Sequence, residues 1–154
     1  MVVGQTMVYF LHRKPVGGSE KTQGPGFVAR IEDIEPTIRF DNVSFAYPSR
    51  PGTAVLKKVS VTFPAHKFSC IIGNSGGGKS TTMSLILRMY EPSSGKLWIG
   101  KHEYNAVNLT FLRECFAYVT QEPVMFSCTI RENLLYAYPQ ASNDQIEQAL
   151  EDAT

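Results

Sequence analysis

Gly73, Gly78, Lys79 and Ser80 stand in the spacing GxxxxGK[ST], with Asn74, Ser75, Gly76 and Gly77 at the variable positions. That order of residue types suits the capture of a polyphosphate. A triphosphate carries several negative charges, and many backbone N–H donors converging on it are the least costly way to hold it. Glycine lets the backbone turn tightly and approach the oxygens with no Cβ in the way. A helix that begins at the end of such a loop aims its dipole and its free amides at the same point. Lys79 can then place a point charge between the β- and γ-phosphates of ATP, and Ser80 can offer its hydroxyl to Mg²⁺. From average residue frequencies, the four fixed positions arise by chance in roughly one chain in a few hundred of this length. The alternative, a glycine-rich turn with an incidental lysine, is therefore weighed against what surrounds the loop.

The surroundings supply the elements the loop needs. Residues 68–72 form a short continuous apolar run, the pattern of a strand buried on both faces. After Gly73 the period changes: Met83, Ile86, Leu87 and Tyr90 fall at i, i+3, i+4 and i+7, one face of a helix that must stop before Pro92. Upstream, Ile38 and Phe40 and then Val43, Phe45 and Tyr47 alternate with polar residues as half-buried strands do. Asp41-Asn42 interrupts that alternation, and residues 48–52 end it as a loop. Val59, Val61 and Phe63 alternate again. Downstream, Leu97 and Ile99 predict a strand after the Ser93-Ser94-Gly95 turn, Phe111 and Leu112 a short helix, and residues 116–119 a further strand. Thr129 with Glu132, and Ser142 with Gln145, are capping boxes that start two helices. The second helix carries Ile146, Ala149, Leu150 and Ala153 on one face. The fold class expected is α/β.

The bulk numbers narrow the function classes. The chain has 154 residues, 43% hydrophobic and 19% charged, as an ordinary globular domain or part of one does. A formal net charge of +1 gives no field that would draw nucleic acid or an anionic membrane, so no nucleic-acid partner is expected. Cys70, Cys115 and Cys128 have no CxxC spacing, and their odd count speaks against a disulfide framework; reduced, mostly buried thiols in a cytosolic setting are expected. His12, His66 and His102 have no metal spacing. The apolar stretch over residues 1–11 is about half the ~20 residues of a spanning helix and contains Gly4, Gln5 and Thr6, so no transmembrane segment is expected in this chain. Residues 1–36 read as a lead-in: a short apolar piece, then His12-Arg13-Lys14-Pro15, then a Gly/Pro/polar linker up to Gly26.

Beyond the loop itself, several segments resemble one family, the nucleotide-binding domain of ATP-binding cassette transporters of the multidrug, lipid and peptide exporter type. The likeness runs in order through residues 37–154. Residues 40–51, with Tyr47 and Pro48-Ser49-Arg50-Pro51, resemble the segment around that family's adenine-stacking loop. Val55-Leu56-Lys57-Lys58-Val59-Ser60 resembles the strand that follows, and residues 73–81 the phosphate loop. Leu112-Arg113, the run Tyr118 to Pro123, Phe126, Thr129-Ile130 and Glu132-Asn133 resemble the glutamine loop and the helix behind it. Residues 11–15 resemble the exporters' linker from the membrane helices.

The resemblance implies a P-loop NTPase-type α/β fold with an N-terminal antiparallel β subdomain, incomplete at the C-terminus. Residues 1–36 would be a lead-in from a membrane domain, and residues 37–154 the N-terminal portion of a nucleotide-binding domain. Tyr47 would stack on adenine, as aromatic faces do for any base; from spacing alone, a strand-end core tyrosine is an equal account. Gly73, Asn74, Ser75, Gly76, Gly77, Gly78, Lys79, Ser80 and Thr81 would bind the phosphates, with Lys79 also serving the reaction. Gln121 would sit at the active-site edge and ligate Mg²⁺ or orient the attacking water; as a lone residue it would be a surface amide. Arg50 reads as a solvated loop arginine. Ala65-His66-Lys67 stands where the family usually has a Gly-Glu turn, and Gly77 replaces a common serine.

Implied partners are ATP, a second nucleotide-binding domain in a head-to-tail dimer, and the transmembrane domains of an exporter. The chain would then be membrane-associated on the cytosolic or matrix side. The family's signature, Walker B and switch-histidine motifs are not found up to Thr154, so the chain reads as roughly the first half to two-thirds of the domain. The alternative function is a truncated nucleotide-binding module without hydrolytic activity. Missing strands would also leave unpaired backbone, which predicts marginal stability and weak ATP affinity for the isolated chain.

Overall fold

Alternation over residues 38–46 builds the centre of the fold. The computed structural model describes residues 8–10, 35–120, 122, 124–136 and 138–153. Strand β1 (Val8–Phe10) pairs antiparallel with β6 (Phe116–Tyr118) in a two-stranded sheet. A four-stranded antiparallel sheet has the order β3-β2-β4-β5, with β2 at Ile38–Ala46, β3 at Ala54–Phe63, β4 at Ser94–Ile99 and β5 at His102–Glu103. Ile38 and Phe40 face the core, facing Phe63 and Val61 on β3 and Ile99 and Leu97 on β4. The inward residues then shift by one, to Val43 and Phe45, because the strand bulges between Phe40 and Val43. Asp41-Asn42 therefore bends β2 without ending it. Asn42 takes a left-handed φ of 49° and donates its backbone N–H to Ser60 Oγ at 2.9 Å. Opposite the bulge, Gly95 passes so close that a Cβ would lie 2.3 Å from the Asn42 carbonyl oxygen, and its φ is 82°.

Helix α1 (Lys79–Ile86) buries Met83, Leu85 and Ile86 against this sheet, with Leu87 just past its end. Helix α2 (Leu109–Glu114) is capped by Asn108, whose side-chain oxygen accepts from Phe111 N at 3.1 Å, and buries Phe111 and Leu112 in the same core. Tyr104, Val107 and Cys115 complete it. Ile38, Phe40, Val43, Phe45, Met83, Ile86 and Leu87 are buried where the 2- and 3.6-residue periods placed them, whereas Leu85, Tyr104, Val107 and Cys115 belong to no such period.

Three expectations are corrected. Residues 68–74 carry no regular secondary structure, where a strand buried on both faces was expected over residues 68–72. Phe68 is 79% and Ile72 78% exposed. A strand buried on both faces needs a hydrogen-bonded neighbour at each edge. Among the described residues no strand pairs with this segment. Second, Cys70 and Cys128 are exposed; Cys115 alone of the three is buried, with its thiol on the Phe111 carbonyl at 3.2 Å. Third, α1 ends a turn before the apolar period does, leaving Tyr90 outside the helix.

The chain divides into two compact units, Met1–Gln121 and Glu122–Thr154. In the second, α3 (Ile130–Leu135) and α4 (Asn143–Glu151) each begin with the expected capping box, Thr129 with Glu132 and Ser142 with Gln145. Asn133 ties the segment before α3 to the helix: its Oδ1 accepts from Phe126 N at 2.8 Å and its Nδ2 donates to the Thr129 carbonyl at 3.0 Å. Phe126 stacks on Tyr136 with ring centroids 4.4 Å apart. No helix among the described residues is long and apolar enough to cross a membrane.

Candidate functional site

The loop over residues 73–78 curls onto the start of α1. The Gly77 N–H donates to the Asn74 carbonyl at 3.0 Å, closing a turn, while Gly76 and Gly78 hold φ of 77° and 85°. Gly78 is the residue that needs to be glycine on two counts. Its left-handed φ strains any L side chain, and a Cβ there would lie 2.8 Å from Leu56 Cδ2. It is also the N-cap of α1, and its carbonyl accepts from both Thr82 N (2.8 Å) and Thr82 Oγ1 (3.0 Å). The helix that the phosphate scheme requires thus starts at Lys79.

Lys79 folds back over the loop. Its Nζ donates to the carbonyls of Gly73 and Asn74, both at 2.7 Å. An ammonium has three donors, so two carbonyls hold it over the loop while one donor and the full charge stay available to an anion. Asn74, Ser75, Gly76, Gly77 and Ser80 are exposed around it. These are the properties a polyphosphate and its counter-cation would use: a cation fixed over a glycine turn, with a serine hydroxyl on the first turn of the helix. Among the described residues, no group of three or more His, Cys, Asp or Glu side chains is placed to hold a metal ion.

Tyr47 lies against the same helix. Its hydroxyl and that of Thr81 are 2.9 Å apart, and Thr81 is buried. The half-buried Tyr47 ring meets Phe45 edge-on (5.0 Å, 80°) and Tyr90 edge-on (5.3 Å, 89°), while Phe45 and Tyr90 lie 5.5 Å apart. Two residues singled out from sequence, Tyr47 and Thr81, are therefore in contact. Tyr90 completes the aromatic group, and sequence reasoning had assigned it only to a helix face; its sole signal was an aromatic residue shortly before Pro92.

The segment after α1 is fixed by two arginines, Arg88, which the sequence reading did not single out, and Arg113, which it named only as part of a family resemblance. Arg88 adopts a left-handed φ of 50° and turns the chain back. Its guanidinium donates to the carbonyls of Val107 (2.9 Å) and Tyr104 (3.3 Å), and Arg113 Nη2 donates to the Arg88 carbonyl at 3.3 Å. Burial, with the Cys115 thiol beside it, pushes the Tyr104 hydroxyl well above its ordinary pKa, so it stays neutral in this corner of the core.

Other sequence candidates fall elsewhere. Arg50 is exposed in the loop after β2, where its N–H donates to the Tyr47 carbonyl at 2.9 Å. Gln121 and residues 11–34 lie outside the described residues.

A family model described as ABC transporter matches residues 56–154. Over 119 residues the chain is 44% identical to ABC transporter B family member 14 of Arabidopsis thaliana, covering 77% of this chain and 10% of that protein. It is 38% identical over 149 residues to the ABC multidrug transporter mdr2 of Aspergillus fumigatus, covering 85% of this chain and 19% of that one. With the mitochondrial ATP-binding cassette sub-family B member 10 of Mus musculus it shares 37% identity over 129 residues, covering 82% of this chain and 18% of the relative. The chain thus spans 10% to 19% of the length of these relatives.

Proposed function

The chain belongs to the ABC transporter family, and from that premise we propose that it is the ATP-binding portion of an exporter whose transport ATP powers. In this reading residues 73–81 hold ATP·Mg²⁺. Residues 37–154 are the N-terminal portion of a nucleotide-binding domain, and residues 1–36 lead in from a membrane domain.

The observation that supports it best is the placement of Lys79 Nζ on the carbonyls of Gly73 and Asn74 at the first residue of α1. A bound triphosphate would draw that ammonium from neutral carbonyls to charged oxygens a short side-chain rotation away, a stronger charge-assisted bond. Ser80 would place its hydroxyl toward Mg²⁺, which supplies charge neutralisation across the phosphates. Thr81 anchors Tyr47 beside the helix, and Tyr47 would take the adenine on its ring. Gln121 would position water or the metal at the edge of the site. A second nucleotide-binding domain, docked head to tail, and the exporter's transmembrane domains are the partners, with the site on the cytosolic or matrix side of the membrane.

The test is a titration of the intact protein with ATP·Mg²⁺, compared with Lys79→Ala. Loss of a charge-assisted interaction of about 1.5–3 kcal/mol corresponds to a Kd raised about 10- to 100-fold. A folded Lys79→Ala variant that binds as wild type does would end this reading. ATP turnover measured on the same samples separates a hydrolysing domain from a module that binds nucleotide only.

A further inference from the structure

We propose that Tyr90 is a positioning residue for base recognition: it fixes the ring plane of Tyr47, on which the adenine of ATP stacks. The proposal rests on the reading of Tyr47 as the base-stacking residue.

Three contacts hold Tyr47. Its hydroxyl is bonded to Thr81 Oγ1 at 2.9 Å, Phe45 packs edge-on at 5.0 Å, and Tyr90 packs edge-on at 5.3 Å with an interplanar angle of 89°. Thr81 and Phe45 are both buried, on elements fixed by the core. Tyr90 differs. It is 39% exposed, on the turn that follows α1, and is the most exposed residue of the cluster, Tyr47 being half-buried.

The backbone places that turn deliberately. Leu87 N and Met89 N donate to Met83 O (2.9 Å) and Ser84 O (2.8 Å), and Arg88 at φ 50° then reverses the chain. At its other end Ser93 N donates to the Ser44 carbonyl at 2.8 Å, and Ser93 Oγ accepts from Ala46 N at 3.3 Å. The turn is therefore stapled to β2 at the residue before Tyr47. Perpendicular aromatic packing fixes a ring plane, because the positive edge of one ring sits over the negative face of the other. A tyrosine held so loses less conformational freedom when a flat base lies on it. Removing Tyr90 frees the ring without touching the phosphate loop.

The experiment uses the intact protein and two ligands, ATP·Mg²⁺ and inorganic tripolyphosphate with Mg²⁺, the second lacking a base. Tyr90→Leu is expected to raise the Kd for ATP about three- to tenfold and leave that for tripolyphosphate unchanged. Tyr90→Phe, which keeps the ring, is expected to bind both as wild type does. On a Tyr47→Leu background, Tyr90→Leu is expected to add nothing. Tyr90→Met keeps bulk without a ring, and is read by the same criteria if circular dichroism shows that Tyr90→Leu does not fold.

The proposal is overturned if Tyr47→Leu weakens ATP and Tyr90→Leu does not, if a folded Tyr90 variant weakens both ligands alike, or if the two substitutions add. If Tyr47→Leu leaves ATP affinity unchanged while tripolyphosphate still binds, the stacking reading itself has failed, and the proposal goes with it.

Discussion

The hydroxyl of Tyr47 lies 2.9 Å from the hydroxyl of Thr81, joining the residue just past β2 to the first turn of α1. The pair is partly buried, so each oxygen has little water to turn to if its partner is removed. Thr81 is itself buried, and α1 begins at the phosphate loop. One contact thus couples the antiparallel sheet to the helix that carries Lys79.

Thr81→Val and Tyr47→Phe should each lower stability by about 1 kcal/mol, the usual cost of deleting one partner of a part-buried hydrogen bond. The double variant should lose less than the sum, with a coupling of about 0.5–1.5 kcal/mol in a urea-denaturation cycle. Strictly additive losses would mean that the two hydroxyls do not depend on each other.

Much of this arrangement was legible in the sequence where the signal was local. The period of 3.6 placed Met83 and Ile86 in the core, and both capping boxes form as their spacing requires. The break at Asp41-Asn42 was visible, but whether it ended a strand or bulged it depended on Ser60 and Gly95, residues far along the chain. Residues 68–72 show the limit of an apolar run. It records that burial is favourable, whereas a strand also needs edges to pair with. Tyr47 and Thr81 could each be named as candidates, but their contact with one another and with Tyr90 follows no local period, so neither the pairing nor the part played by Tyr90 could be read.

Gly95 and Gly78 should differ in what they tolerate. At both, φ is left-handed, which costs an alanine about 1–2 kcal/mol. At Gly78 the added Cβ meets the tip of Leu56, which can turn aside. At Gly95 it meets the Asn42 carbonyl oxygen at 2.3 Å and the Asp41 carbonyl oxygen at 2.6 Å, backbone of the bulge that lies between the Asp41–Lys96 and Ser44–Ser94 rungs of β2 and β4 and cannot turn aside as a side chain can. Gly95→Ala is therefore expected to cost on the order of 3 kcal/mol or more, and Gly78→Ala less, in the same denaturation assay. Equal losses would show that the bulge yields more readily than its hydrogen bonds suggest.

Arg88 combines a strained backbone with a useful side chain. Its φ of 50° is one that glycine adopts freely, whereas its guanidinium donates to the carbonyls of Val107 and Tyr104. The ion pair with the exposed Glu91, at 3.9 Å, contributes little beside these. Arg88→Ala keeps the backbone cost and loses the bonds, a loss of about 1.5–3 kcal/mol. Arg88→Gly loses the same bonds but relieves the backbone, so it should melt at a higher temperature than Arg88→Ala. The reverse order would mean that the left-handed turn carries no strain.

Glu132 gives the N-terminus of α3 a pH dependence. Its carboxylate accepts from Thr129 Oγ1 at 2.7 Å and Thr129 N at 2.8 Å, and those bonds, the side-chain one first, hold its pKa below the ordinary carboxylate value. A group whose pKa is lowered by folding stabilises the fold fully above its unfolded pKa, and that contribution disappears as pH falls through the folded value. Acidification should therefore loosen the N-terminus of α3. The capping box of α4 closes through Gln145, which does not titrate, and Ser142 N should keep its bond to that side chain at 3.0 Å. Amide exchange followed by NMR from neutral pH downwards should show Thr129 N–H losing protection across the Glu132 titration while Ser142 N–H keeps its own. Thr129→Val should raise the Glu132 midpoint toward that of a free carboxylate. An unchanged midpoint in that variant would mean that the threonine hydroxyl is not what holds the charge.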